Sequence, residues 1–280
     1  MSEAAQGGAR RDPLSGRLVV FAPGRAKRPG AFPRLEPPPD PGELDECPFC
    51  AGREDRTPPE TLRLPAEGDW RVRVVPNLYP AFERQEVVVH TPEHARSITE
   101  LSSEALSLVA EAWRSRAAAA RAEGFAYVHA IVNEGKAAGA SLPHTHSQLI
   151  WLRDPPPAVS LEGPMDAVTE GELILDHAGL VALCPAVSAD PYEVRIAPTS
   201  REPDAFASQL LTRALDMAAE VIRRLRALEP GAPVNLWLHD GPWWHIDVVP
   251  RLRVPAGIEL GAGIHVNPLS PEEAAARLRG

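Results

Sequence analysis

This 280-residue chain is poor in aromatic residues, at 5%, and has no apolar run approaching the roughly 20 residues that cross a bilayer as a helix. Its first ten residues are small and polar with no hydrophobic stretch behind them, so no membrane anchor or signal peptide is read and a cytoplasmic protein is expected. Positive charge is also short. The 38 acidic residues outweigh 29 basic ones for a net charge of −9, which argues against a general nucleic-acid binder. Arginine greatly outnumbers lysine, and local arginine clusters still suit phosphates. Three cysteines, Cys47, Cys50 and Cys184, are too few and too odd in number for a disulfide framework; the CxxC pair points to metal or redox chemistry instead.

What is abundant is proline, 31 residues, clustered in PPPDPGE (37–43) and DPPP (154–157), which read as semi-rigid connectors. A 44% hydrophobic and 24% charged composition is ordinary for a globular protein of this length, enough for one large or two modest domains. Strands are expected at 17–22, 71–75, 86–90 and 127–132. A helix capped by Ser102 runs to about Glu123, with Leu106, Val109, Trp113, Ala117 and Ala120 as its buried stripe. The outline then repeats: strands at 173–175, 180–183 and 192–196, a long amphipathic helix over 203–228, and strands at 234–239 and 245–249. Strands, a long helix, then two strands, seen twice, predict an α+β fold of duplicated units sharing one sheet. The first unit is placed at 1–157 and the second at 158–280.

Chemistry concentrates in NEGKAAGASLPHTHSQLIW (133–151). His144, His146 and Gln148 alternate, so on an extended chain they share one face, and polar groups so placed are costly to bury unless they bind something. Cys47 and Cys50 with His94 and His144 make a Cys₂His₂ set suited to tetrahedral zinc, structural because four protein ligands leave no open position. A redox pair also shows CxxC, but here Pro48 and Phe49 stiffen a loop with no helix start behind it. His146 is then left free, and a neutral imidazole is a competent nucleophile toward phosphorus; a general base activating water fits the same spacing. Asn133, Gly135 and residues 139–141 offer donors for phosphate oxygens. Arg25, Lys27 and Arg28, in a turn bounded by proline and glycine, suit either a phosphate clamp or a solvated surface. Overlaying the halves sets His245 on His146, Trp243 on His144 and Asp247 on Gln148, so only the first copy carries the full set.

The segments RDPLSGRLVVFAPGRAKRP, CPFC, PNLYPAF, EVVVHTPEH, NEGKAAGASLPHTHSQ, WWHIDVVPRL and AGIELGAGIHVNPLSPEEAAARLR, in that order, resemble the galactose-1-phosphate uridylyltransferase branch of the histidine-triad superfamily from about Arg11 to Arg279. The resemblance implies histidine-triad-like units and ping-pong transfer. His146 takes the nucleotide from UDP-glucose and passes it to galactose 1-phosphate, while Gln148 donates to a phosphoryl oxygen and Asn133 and Ser141 contact the phosphates. It also implies zinc on Cys47, Cys50, His94 and His144, a homodimer in which Arg25 and Arg28 reach the partner's nucleotide site, and a hexose contact at Glu259. It further implies that Asn77, Leu78 and Tyr79 form the base wall, which does not distinguish uracil from adenine by inspection.

Three departures qualify it. Thr145 replaces the familiar proline between the histidines and is expected to loosen the turn. A second metal, held in some members by histidines such as His239 and His245, is not predicted, because Trp243 stands where another is expected. His265 falls where a sugar-contacting glutamine is usual, which leaves ADP-glucose phosphorylase and diadenosine polyphosphate phosphorylase as alternatives. Nucleotide hydrolysis and a zinc-stabilised nucleotide-binding module without catalysis are the remaining readings.

Overall fold

The computed structural model describes residues 8–23 and 41–280. The first half contains β1 (Ala9–Arg11), β2 (Leu18–Phe21), α1 (Pro41–Glu46), β3 (Leu62–Leu64), β4 (Val72–Pro76), β5 (Arg84–Val89), α2 (Ser103–Ala122), β6 (Tyr127–Glu134) and β7 (His146–Leu152). After the short α3 (Pro157–Ser160) come β8 (Gly171–His177), β9 (Leu180–Pro185), β10 (Val194–Pro198), α4 (Leu211–Leu228), β11 (Val234–His239) and β12 (His245–Pro250). The chain closes with α5 (Gly257–Ala262), β13 (Ile264–Asn267) and α6 (Pro271–Arg279).

Ten strands form one sheet in the order β3-β4-β5-β7-β6-β11-β12-β10-β9-β8, with every pairing antiparallel. Read outward from the β6–β11 seam, both halves run fourth, fifth, third, second, first strand, and each sets its long helix between its third and fourth strands. The duplicated α+β architecture expected from the sequence is therefore present. A second sheet of three strands joins β1 and β2 to β13, so the two ends of the described chain meet.

The sheet has two unlike faces because side chains alternate along each strand. Leu149 and Trp151 of β7, Val128, Ala130 and Val132 of β6, and Leu236, Ile246 and Val248 of the second half point into one continuous core with the buried stripes of α2 and α4. His146 and Gln148, one residue out of phase, point the other way. α2 follows its sequence signature: Ser102 Oγ accepts from the Ala105 N–H at 3.2 Å, the chain is rich in alanine, and Gly124 at φ 84° ends it. α4 begins eight residues later than the periodicity predicts. Asp204 sits at φ 60° and accepts from the Ala207 N–H at 3.2 Å, while Asp240 accepts from the Ala205 N–H at 2.7 Å, so side chains capture the backbone groups that a helix would use.

The halves are also tied by charge. Buried Glu134, at the end of β6, accepts from Ser97 Oγ (2.7 Å), the Ile98 N–H (2.7 Å) and Arg226 Nη2 of α4 (2.8 Å). Removing the carboxylate leaves a partly buried cation and two buried donors without their acceptor. Glu134→Ala is expected to lower unfolding free energy by about 2–4 kcal/mol in urea titrations, with Glu134→Gln less damaging.

Candidate functional site

β7 starts at His146, so residues 142–145 are not part of the strand over 142–152 that the alternation supposes. His144 is turned toward the CxxC loop. Cys47 Sγ lies 3.3 Å and Cys50 Sγ 3.7 Å from His144 Nδ1, and Cys50 Sγ lies 3.4 Å from His94 Nδ1. All four donor atoms fall within 4.8 Å of one another. A tetrahedral zinc with ordinary bond lengths separates its ligand atoms by about 3.3–3.8 Å, the range of these three sulfur–nitrogen distances, so the donor set suits it.

The outer partners agree. His144 Nε2 donates to the Thr91 carbonyl at 2.9 Å and His94 Nε2 faces Glu43 Oε1 at 2.8 Å, each leaving Nδ1 for the cluster. Glu43, on α1, also binds Arg96, whose guanidinium holds the carboxyl down at about 2. Sequence reading missed Glu43, which lies more than fifty residues from His94 and shares no local pattern with it.

His146 is 7% exposed, and its Nδ1–H donates to the His144 carbonyl at 2.8 Å. Nε2 is thereby the unprotonated nitrogen of the neutral ring. Burial pushes this imidazole below its usual range, which keeps the ring neutral near pH 7. It opens on a cavity of about 520 Å³. The walls include Phe49 and Arg56 from the metal loop and its extension, Asn77 to Tyr79, and Gln85, Ser141 and Gln148. Phe49 packs edge-on against both His146 (5.4 Å between centroids) and His144 (5.9 Å).

Of the residues singled out by sequence, His146, Gln148, Asn77 and Ser141 meet at this cavity. Asn133 shares the face, and its Oδ1 accepts from Asn235 Nδ2 of β11 at 2.7 Å. Glu259 and His265 are not brought there. They lie on α5 and β13, where Glu259 accepts from Arg253 Nη1 at 3.2 Å and from the Ala256 N–H at 2.9 Å. Arg25 and Arg28 lie outside the described residues.

Thr145 does not loosen the turn. Its N–H donates to the Ala95 carbonyl at 2.6 Å, which proline is unable to do, and its hydroxyl meets Nδ1 of buried His90 at 3.0 Å. His90 Nε2 reaches Ser147 Oγ at 3.0 Å, and Trp113 Nε1 donates to the same oxygen at 2.8 Å. A satisfied polar network thus braces β7 from the face opposite His146.

A model for the "galactose-1-phosphate uridyl transferase, N-terminal domain" matches residues 79–156, the stretch that builds β5, α2, β6, β7 and the HTHSQ motif. Over this stretch the chain is similar to the galactose-1-phosphate uridylyltransferase family. It is 28% identical to an ADP-glucose phosphorylase from Arabidopsis thaliana, over 96% of this chain and 92% of that one. It is 26% identical to a galactose-1-phosphate uridylyltransferase from Streptomyces lividans, over 96% and 86%. A crystal structure of an Arabidopsis ADP-glucose phosphorylase with bound ADP-glucose superposes with a TM-score of 0.85 at 26% identity, over 97% of both chains.

The second half repeats the first half's geometry without its chemical set. His245 Nδ1 faces the Trp243 carbonyl at 3.3 Å, as His146 does His144, but Trp243 donates its own N–H to the Pro198 carbonyl at 3.0 Å, and Asp247 is held by Arg195 at 2.8 Å. Glu162, which sequence reading did not single out, joins His239 and His245, with donor atoms within 4.8 Å of one another. Glu162 hydrogen-bonds His239 Nδ1. Among the described residues no helix is long and apolar enough to cross a membrane.

Metal occupancy is directly measurable. Purified protein is expected to carry one tightly held zinc per chain, and cobalt substitution to give the thiolate charge-transfer bands of a tetrahedral site. Stripping the metal, or Cys50→Ser, is expected to lower the unfolding midpoint by about 10 °C.

Proposed function

We propose that the protein is a nucleotidyltransferase acting on a nucleoside-diphosphate glucose through a covalent nucleotidyl group on His146. The observation that carries this reading is the orientation of His146: one ring nitrogen is committed to a backbone carbonyl, and the other faces a cavity that also presents the Gln148 amide. Nε2 attacks the α-phosphorus, an N–P bond forms, and the P–O bond to the sugar phosphate breaks, releasing glucose 1-phosphate. The His144 carbonyl accepts from Nδ1–H while the ring gains positive charge. Gln148 and Ser141, which line the same cavity, donate in this reading to the phosphoryl oxygens, where charge grows in the transition state. In the second half-reaction an acceptor oxygen attacks the same phosphorus and Nε2 leaves.

The substrate pair favoured is ADP-glucose with inorganic phosphate as acceptor. Relatives named for that reaction match by sequence over nearly the full length and by superposition, in the latter case with ADP-glucose bound. Transfer from UDP-glucose to galactose 1-phosphate is the second reading, supported by the family model and by the Streptomyces relative. A metal held by Cys47, Cys50, His94 and His144 would supply structure, tying the loop bearing Phe49 and Arg56 beside His146. A homodimer accords with the fold. Glu259 and His265 lie apart from the cavity of their own chain, and exposed apolar side chains stand both at its rim (Leu78, Tyr79, Phe82) and near Glu259 (Val254, Ile258, Leu260).

Wild-type protein incubated with ADP-glucose labelled in the α-phosphate is expected to retain label after denaturation at alkaline pH and to release it as ADP when phosphate is added. His146→Ala is expected to retain none and to lose turnover; a labelled alanine variant sinks the covalent reading. Parallel assays with UDP-glucose and galactose 1-phosphate decide between the substrate pairs. Release of free nucleoside monophosphate without an acceptor indicates hydrolysis, and binding without exchange indicates a non-catalytic module.

A further inference from the structure

Gln148 presents an amide whose two ends are opposite in polarity: NH₂ stabilises a phosphoryl oxygen, and the carbonyl end repels it. Something must fix which end faces the cavity. β5 and β7 pair Val87 with Gln148 and Gln85 with Ile150, which makes Gln85 and Gln148 diagonal neighbours on the cavity face. Gln85 Nε2 donates to Gln148 Oε1 at 2.7 Å. The direction of that bond is forced from further out. Gln85 Oε1 lies 2.9 Å from the Ala81 backbone N–H, a group that donates only, so the oxygen end of Gln85 is set there. Its NH₂ must then face Gln148, which must answer with Oε1 and turn its own NH₂ away from Gln85.

The same residue also holds the loop that lines the cavity. The Asn77 N–H donates to the Gln85 carbonyl at 2.8 Å, and Asn77 Oδ1 accepts from the Tyr79 N–H at 2.9 Å. Asn77, Leu78 and Tyr79 are walls of the cavity, so Gln85 contacts the loop through its main chain at one end and its side chain at the other.

We infer that Gln85 is a positioning residue that sets the polarity of the Gln148 amide and couples it to the Asn77–Ala81 loop. It is not a catalytic residue, since it acts through Gln148. This inference rests on the proposed role of His146 and Gln148 in nucleotidyl transfer.

Two substitutions of nearly the same shape separate polarity from packing. In Gln85→Glu the carboxylate still accepts from Ala81 but has no proton for Gln148, so the Gln148 amide is driven to flip and present its oxygen to the phosphoryl group. In Gln85→Met the amide is left free to take either orientation. With ADP-glucose and phosphate as substrates, kcat is expected to fall on the order of 10²-fold for Gln85→Glu and roughly tenfold for Gln85→Met. The KM for ADP-glucose should stay within about threefold, with unfolding midpoints within about 2 °C of wild type. The decisive readout is a double-mutant cycle. In a Gln148→Ala background neither Gln85 substitution should lower kcat further, because the group it orients is gone. Equal losses in both backgrounds, or an unchanged kcat in Gln85→Glu, overturns the inference. His146→Ala acts as a separate control: if that variant retains turnover, the proposed function fails, whereas turnover dependent on His146 and indifferent to Gln85 overturns this inference alone.

Discussion

One backbone carbonyl, that of His144, holds the site together. By accepting from His146 Nδ1 at 2.8 Å it decides which nitrogen of the proposed nucleophile carries the proton and where the other points. That carbonyl does not belong to the sheet, which starts only at His146. Its position is set by what holds the residue on either side of it: the His144 ring among two sulfurs and the Thr91 carbonyl, and the Thr145 N–H on the Ala95 carbonyl at 2.6 Å. A metal on the four donors would therefore act on the reacting atoms at two removes, through the carbonyl and through Phe49, whose ring touches His144 and His146 together. A structural metal in this place has a mechanical claim on chemistry it never touches.

The two-faced sheet explains why only half of a duplicated fold bears this chemistry. Both halves turn a histidine onto the same face at the start of their fifth strand, and both aim its Nδ1 at the carbonyl two residues back. In the second half the neighbouring positions are filled by groups that satisfy one another. Arg195 and Asp247 form a buried ion pair, each 3% exposed, with the carboxyl pushed well below its usual range by the guanidinium against the opposing cost of burial. An ion pair so buried contributes little net stability and offers nothing to a ligand until it is broken, which is costly. The geometry was duplicated, and in one copy the place of Gln148 is taken by a carboxylate committed to an arginine.

Much of this was legible in the sequence because it is local. The alternation of HTHSQ, the CxxC spacing, the apolar stripe of α2 and the repeat of strands around long helices all report on neighbours within a few residues, where period and direction are dictated by the backbone. What escaped required knowing which distant strands touch. Gln85 and Gln148 are 63 residues apart and meet only through the β5–β7 register; His90 meets Thr145 across 55; Glu43 meets His94 across 51. The late start of α4 escaped for the opposite reason. Hydrophobic period runs on through Phe206 and Leu210, and only the Asp204 and Asp240 side chains, competing for backbone N–H groups, hold that stretch out of the helix. Thr145 was misread because a lost proline suggests lost stiffness, whereas here an N–H and a hydroxyl restore it.

The same division between constrained and unconstrained parts bears on substrate choice. The proposed nucleophile, His146, is 7% exposed and braced from both faces of its strand, while Leu78 and Tyr79 on the cavity wall are 61% and 85% exposed. The groups proposed to make and break the P–N bond are held by packing and hydrogen bonds that any change would disturb. A wall of exposed side chains on a loop costs little to alter, since surface substitutions away from packed features change stability by about 0.5 kcal/mol or less. Relatives of similar fold that differ in nucleotide are what such a construction would permit: the proposed chemistry sits where the sheet is braced, and the proposed base wall sits on an exposed loop.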